Sequence, residues 1–590
     1  MNFRITLIAA ILSVTALSTY SKTTTPNIII VITDDQGKND LACEGNPYVK
    51  TPNIDKFYDN AVRFTNYHVS TTCAPSRGAL MTGRHTNRLN VHHTINGRSI
   101  LFEDETLLPE ILKNNGYTCG HFGKWHLGDN YPFRPMDRGF DQVVRHGGGG
   151  ITQGPDYWGN DYFDDTYWKN GVPTKYEGYC TDVFFSEALK FIEDNKDQPF
   201  FCYISTNAPH GPLNCPEKYM DLYKDNPEIK DTHQRFYGMI TNIDDNFKIL
   251  QDKLKQLKIN DNTIVIFTTD NGTAFGSKMY DAGMTGHKGQ VTEGGHRVPF
   301  YLQWPAKGLT GGKDINNLVA HIDILPTLID IIGLKHNEIK PIDGKSWKPL
   351  LYPGGSTWDN RILYVDTQRM INLTKYKDYA VMDDNWRLVN GNKLYDMRND
   401  LKQEKNVIAQ YPKEAARLAQ GYETWWTSIE QENINDRYAY IKVGAPQENP
   451  SCLMSHDLLT GKLENAWHQY GAIEAVQATG IWKVHFVADG KYKISLRRFP
   501  RESSLKINAT FPEGQKERRL QEVTPASTKS DFAEAFLYVA KHKKTQEIKG
   551  DAEEVTFELD MAAGKYDLQA ELIDKVGRVH PAYYLYIEKI

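Results

Sequence analysis

Between residues 26 and 335, short and almost wholly apolar runs alternate with helical patterns, and nothing else in the chain limits its fold as strongly. Asn27–Thr33, Tyr117–Phe122, Phe200–Thr206, Thr263–Thr269 and Val298–Trp304 read as strands, and Asn53–Ala61, Leu107–Asn115, Thr181–Asn195, Gln234–Lys258 and Ile322–Ile332 read as helices. A strand apolar on both faces has to be covered on both faces. The pattern therefore predicts an α/β fold in which a large, mainly parallel sheet is sandwiched by helices. The Gly147–Gly150 run and the segment to Tyr179 read as a long insertion rather than a core element. From about Arg361 to Trp426, short strands (Tyr379–Met382, Trp386–Val389) precede a helix near Lys413–Thr424, which suggests a smaller α+β subdomain. After about Tyr440, Trp482–Val487, Lys491–Leu496, Val555–Leu559 and Lys565–Leu572 are separated by Gly and charged turns, the pattern of a β-sandwich-like accessory domain. The expected units are 26–355, 356–435 and 440–590. The basic residues Arg497, Arg498 and Arg501 read as a solvated face of the last one, with contact to an anionic glycan as the alternative.

Residues 1–21 carry one charge, Arg4, then the apolar run Ile5 to Leu17 and the small residues Ser18, Thr19 and Ser21. That run is shorter than the roughly 20 residues a membrane span needs and has the layout of a secretory signal. Export to the periplasm is expected, with secretion or the cell surface as alternatives and no stable membrane insertion after cleavage. Seven cysteines in 590 residues are too sparse for a disulfide scaffold, and the odd count leaves at least one unpaired. The net charge of −5 argues against a nucleic-acid partner, which counterion release would make basic.

Four of the strands run into polar, ionisable residues: Ile28–Thr33 into Asp34 and Asp35, Thr263–Thr269 into Asp270 and Asn271, Tyr117–Phe122 into Lys124 and His126, and Phe200–Thr206 toward His210. Ligands of open α/β sheets bind at the carboxyl ends of the strands, so these endings predict one shared site. Asp34, Asp35, Asp270 and Asn271 form an all-oxygen set whose carboxylates would raise one another's pKa without a cation. A hard divalent ion suits them, Ca²⁺ first and Mg²⁺ second, while zinc lacks its usual His and Cys ligands. Cys73, just before Pro75 and the helical run Ala79-Leu80-Met81, should sit at a helix N-terminus, where unpaired N–H groups favour an anion.

These blocks resemble the formylglycine-dependent sulfatases of the alkaline phosphatase superfamily. The resemblance rests on Asp34-Asp35-Gln36-Gly37, Thr51-Pro52-Asn53-Ile54-Asp55, Cys73-Ala74-Pro75-Ser76-Arg77, Gly116-Tyr117, Gly123-Lys124-Trp125-His126-Leu127-Gly128, Pro209-His210 and Asp270-Asn271-Gly272. It continues through Lys288-Gly289, Glu293-Gly294-Gly295-His296-Arg297-Val298-Pro299 and Leu394-Tyr395-Asp396, covering roughly residues 26–430. Thr71 stands where the family usually has a smaller residue. The resemblance implies that a maturation enzyme oxidises Cys73 to formylglycine, whose hydrate is the nucleophile. It implies Ca²⁺ held by Asp34, Asp35, Asp270, Asn271 and the modified Cys73, with Arg77, Lys124, His126, His210 and Lys288 completing the catalytic set.

In the implied reaction Asp270 takes a proton from the attacking hydroxyl, and Lys124, Lys288 and Arg77 offset charge on the sulfuryl group. His210 or Lys288 protonates the leaving alcohol, and His126 then takes the proton of the second hydroxyl to expel sulfate. His85, His92, His93, His121 and His146 are assigned structural or substrate roles. The alternatives are a formylglycine-dependent phosphodiester or phosphonate hydrolase and a non-catalytic sulfated-glycan binding protein. The expected partner is a sulfated carbohydrate. The overall layout is similar to bacterial polysaccharide sulfatases, including marine ones acting on algal glycans such as ulvan or carrageenan. Tyr157, Trp158, Tyr162, Phe163, Tyr167, Trp168, Tyr176 and Tyr179 of the insertion could shape a glycan subsite or simply pack it.

Overall fold

A computed structural model describes residues 25–336, 339–352, 357–461, 465–527 and 531–590. The signal-like segment 1–21 lies outside the described residues. Among the described residues no helix is long and apolar enough to cross a membrane, and all seven cysteines are unpaired.

The principal elements are β1 (Asn27–Thr33), α1 (Cys73–Thr82), β2 (Thr118–Gly123), β3 (Gln142–Arg145), β4 (Phe200–Ser205), α2 (Asp231–Gln256), β5 (Thr263–Thr269) and β6 (Phe300–Gln303). They belong to a ten-stranded sheet in which β5, β1, β4, β2 and β3 lie side by side and parallel. Every residue of β1, β4 and β5 is buried, as strands covered on both faces require. Helix α2 supplies part of that cover, with Phe236, Ile240, Ile243, Phe247, Leu250 and Leu254 buried at three- and four-residue spacing along one stripe.

Two sheet features depart from the sequence reading. β6 pairs with β5 antiparallel, so the sheet is mixed on that side of its parallel centre. The insertion after Gly147 also joins the sheet: Thr166–Lys169 pairs antiparallel with β3 and turns back as Val172–Lys175 to form its edge. The turn is Asn170-Gly171, both at positive φ, the pair that a tight two-residue hairpin needs.

Four short antiparallel strands between Leu363 and Asp396 carry the helix Pro412–Glu430. Beyond them a seven-stranded sheet, including Gly480–Phe486 and Gly564–Asp574, and a four-stranded antiparallel sheet form the accessory region. One apolar core runs from Leu418 and Tyr422 on the helix through Trp482, Val484, Ile494, Leu537 and Leu585. Several of the insertion's aromatics pack it. Trp158 packs on Phe499, Phe511 and Tyr584 of the accessory region, and Tyr162, Tyr167 and Tyr179 are buried.

The basic stretch is not a solvated face. Arg498 is fully buried and donates to the carbonyls of Ala472, Ile473, Ile507 and Ala509, while Arg497 is buried against Glu553 and Glu554. A guanidinium with its donors in a rigid fork can bind several loop carbonyls that no water reaches. Only Arg501 is partly exposed, and it pairs with Glu554. Arg498→Ala should therefore destabilise the accessory region by at least about 3 kcal/mol, since each orphaned buried carbonyl costs about 1–3 kcal/mol. Denaturant unfolding followed by tryptophan fluorescence measures this, with Arg498→Lys unable to restore the loss.

Candidate active site

The sheet order explains why the site exists. β5, β1, β4 and β2 are consecutive neighbours, and strands lie about 4.8 Å apart, so their four carboxyl ends fall within roughly 14 Å. Asp34 and Asp35 leave β1, Asp270 and Asn271 leave β5, Lys124 and His126 follow β2, and His210 follows β4. Asp35 and His126 both take positive φ, which turns the backbone sharply as it leaves the strand. Cys73 is the first residue of α1 and points into this cluster: ligand atoms of Cys73, Asp34, Asp35 and His210 all lie within 4.8 Å of one another. Lys288 reaches the cluster from a loop fixed at both sides, its N–H donating to Thr273 and that of Gly289 to Thr71.

The carboxylates are paired one by one. Lys124 Nζ donates to Asp34 Oδ2 at 2.5 Å, and Lys288 Nζ lies 2.6 Å from Asp35 Oδ1. Arg77 grips Asp270 Oδ2 through Nη2 at 2.6 Å and Nε at 3.0 Å, and also donates to Ser205 Oγ. Asp270 Oδ1 accepts the N–H of Asp35 at 3.2 Å, and Asn271 Nδ2 donates to Asp35 Oδ1 at 2.9 Å. Burial pushes Asp34 above the usual carboxylate range, only partly offset by Lys124. Burial also pushes Asp35 up, but Lys288, His210 and Lys124 outweigh it and hold that carboxyl well below the range. Asp270 is held above its ordinary value by burial and then by Asp34, against the pull of Arg77. Lys288 stays firmly protonated because Asp35 and Cys73 more than offset its burial.

Two oxygens in this set have no partner: Asp34 Oδ1 and Asn271 Oδ1, both fully buried. A third, Gln36 Oε1, is orphaned in the loop that follows Asp35. Buried oxygens left without a donor are costly unless a cation fills the space they face. A carboxylate and an amide oxygen beside further carboxylates are the donor chemistry of a hard divalent ion, so the residues present fit one.

The two histidines are set up differently. His126 Nε2 lies 2.8 Å from the Thr94 carbonyl, which demands a proton there and leaves Nδ1 as a buried, unpartnered acceptor. Burial and then Lys124 keep this imidazole neutral. His210 Nδ1 donates to the Gly211 carbonyl at 2.6 Å, so Nε2 is the nitrogen presented to Asp35, 3.8 Å away. Burial pushes His210 down to about 3, against the pull of Asp35. The glycine run has its reason here: a Cβ on Gly149 would come within 2.2 Å of the His126 ring. His85, His92 and His146 bond backbone carbonyls, and His121 packs among Trp125, Phe140 and Tyr203.

Sequence reasoning missed the contribution of the accessory region. His456, bonded to Asp457 at 2.8 Å, sits with its ring 6.2 Å from that of His126, and its Nε2 is buried without a partner. Trp467 and His468 line the cavity beside His210. No local motif marks these residues; only the tertiary fold brings them to the site.

The description of the Sulfatase family matches residues 26–334, just over half of the chain and including the carboxylate cluster, Cys73 and its three cations. The chain belongs to the sulfatase family. As such it is an enzyme that hydrolyses sulfate esters. A second family description, N-sulphoglucosamine sulphohydrolase C-terminal, matches residues 287–423 of this sulfatase. Human N-acetylgalactosamine-6-sulfatase is 31% identical over 380 residues, covering 60% of this chain and 71% of its own. An ulvan-active sulfatase of Formosa agariphila is 30% identical over 363 residues, covering 56% and 67%. A solved structure, Ps i-CgsB in complex with k-i-k-neocarrahexaose, superposes with a TM-score of 0.62 at 28% identity, covering 68% of this chain and 93% of that one.

Divalent-cation binding by the orphaned oxygens is directly measurable. After chelator treatment, added Ca²⁺ should raise the melting temperature of the sulfatase, with about 2.7 kcal/mol of stabilisation at a hundredfold excess over Kd. Asp34→Asn combined with Asn271→Leu should abolish the shift; a shift of wild-type size in that variant would exclude this set as the ligand site.

Proposed function

We propose that this sulfatase removes sulfate esters from an extracellular sulfated glycan, using a formylglycine made from Cys73 and a Ca²⁺ ion held by Asp34, Asp35, Asp270 and Asn271. The observation that carries the reading is the convergence of Cys73, at a buried helix N-terminus, with two carboxylates and His210 inside a ring of three cations. When present, the aldehyde hydrate supplies the attacking oxygen and the Ca²⁺ ion draws charge from the sulfate oxygens. The chain's own groups do the rest.

Lys124, Lys288 and Arg77 hold fixed positive charge around the sulfuryl position, where a water-poor site makes it most effective. Both Asp270 oxygens are engaged, by Arg77 and by the Asp35 N–H, so this carboxylate accepts a proton only through a remaining lone pair. His126 holds its Nε2 proton on Thr94 and keeps Nδ1 free to take one. Lys288 carries a proton at Nζ and can deliver it to the departing alcohol oxygen; His210, neutral with its proton on Nδ1, can do so only after Nε2 has first taken one up. Export is part of the same proposal, from residues 1–21. So is maturation by a formylglycine-generating enzyme, from the Cys73-Ala74-Pro75-Ser76-Arg77 motif.

Two experiments test this. Cys73→Ala should abolish sulfate release while the protein stays folded, and the Cys73 peptide of active enzyme should have the mass of the aldehyde. Near-normal turnover in the variant, or preferred hydrolysis of a phosphate diester, would overturn the reading. The acid is identified by leaving group. An alkyl leaving group needs a proton far more than an aryl oxide, so the variant lacking the acid, His210→Ala or Lys288→Ala, should lose about 10²–10⁴-fold on a sugar sulfate and much less on an activated aryl sulfate. The other variant should lose similar factors on both.

A further inference from the structure

Beside His210 lies a cavity of about 490 Å³, within the range of small-molecule sites. One wall is catalytic, from Ile151 to Gln153 with Phe275; the other is the accessory-region segment from Asn465 to Gly471 with Glu474 and Glu522. Both family matches end at or before residue 423, so this second wall lies outside the part of the chain that they describe. Resting on the glycan reading above, we propose that this cavity holds an uncharged pyranose ring next to the sulfated position, stacked on Trp467.

Trp467 is an aromatic that this wall presents to solvent. It is 40% exposed on the cavity wall, whereas Tyr162, Tyr167 and Tyr179 are buried. An indole left in water beside a polar cleft presents the apolar face that the C–H groups of a sugar ring need. Its backbone is anchored to the catalytic wall. The Trp467 carbonyl accepts the Gly154 N–H at 2.8 Å, and the Gln469 N–H donates to Thr152. Gln469 Nε2 donates to the carbonyls of Gln153, Asp156 and Tyr157, and His468 Nε2 lies 2.7 Å from Thr152 Oγ1. A segment held by that many bonds loses little backbone freedom when a ligand settles on it.

Charge selects the ring. The cavity's carboxylates, Glu474 and Glu522, have no ion-pair partner among the described residues, and burial keeps His468 neutral. The cationic side chains of the site, Arg77, Lys124 and Lys288, are all committed to the carboxylate cluster. A uronate or a second sulfate in this cavity would face two like charges; a neutral sugar would find hydroxyl partners in Gln153, Gln521 and Tyr470.

The test uses matured full-length enzyme, sulfated oligosaccharides whose sulfated residue is flanked by a neutral sugar or by a uronic acid, and a small aryl sulfate. Trp467→Ala should lower kcat/KM for the neutral-flanked oligosaccharide at least about tenfold more than for the aryl sulfate, with the loss in KM, and Trp467→Phe should recover most of it. Wild type should prefer the neutral flank, and Glu474→Gln with Glu522→Gln should narrow that preference. Equal losses on all substrates, no loss, or preference for the uronate flank would overturn the proposal. Binding of the neutral-flanked oligosaccharide to Cys73→Ala protein, with and without Trp467→Ala, provides an arm independent of turnover. Should matured enzyme release no sulfate from any glycan, the functional reading falls, and the binding arm decides this proposal alone: unchanged affinity without Trp467 refutes it.

Discussion

Three carboxylates buried together at the ends of two adjacent strands are the constraint on which this sulfatase depends. Asp34, Asp35 and Asp270 have almost no contact with water, and each is matched by one buried or half-buried cation: Lys124, Lys288 or Arg77. Without those partners the cluster would take up protons, and its oxygens could not act as ligands. With them the set is neutral, and a bound divalent ion would leave it net positive. A sulfate ester, which carries a single negative charge at every ordinary pH, is attracted to such a pocket without having to displace a competing anion. Arg77 lies one turn along α1 from Cys73, so the pairing that neutralises Asp270 also fixes the helix whose first residue faces the site.

Much of this was legible in the sequence because the chemistry and the fold share one signal. β1 and β5 have the bounds their apolar runs suggest, and the acidic residues stand immediately after them. Cys73 opens α1 as the Pro75 context implies. The Asn170-Gly171 hairpin was also written in the chain, but the surrounding Gly and Tyr residues gave no alternating pattern by which to recognise an edge strand. Arg498 was not legible. A run of arginines between strands looks like solvated surface, and only the closure of Ala472, Ile473, Ile507 and Ala509 around one guanidinium makes it interior.

The aromatic residues show the same limit from the other side. Composition alone places Trp and Tyr near sugars or in cores, and the two uses look identical along the chain. The dense aromatic stretch from Tyr157 to Tyr179 fastens the catalytic and accessory regions together through Trp158, while the isolated Trp467 stays exposed. His456 is illegible for a related reason: its relation to His126 exists only because the accessory sheets turn back over the site.

That return path orders events in the life of the chain. The segment bearing His456 and Trp467 follows the strand Ser451–Met454, which pairs along its length with the distant strand Tyr584–Lys589. During synthesis the far wall of the cleft cannot settle until Tyr584–Lys589 has emerged, whereas the strands around Asp34 and Asp270 are complete far earlier. Cys73 is 2% exposed once everything is in place, so a reagent can reach its thiol only before α1 is packed away. The arrangement separates the two halves of the cleft in time: the cluster around Cys73 and Asp34 rests on strands made early, and the wall that bears Trp467 is assembled after it.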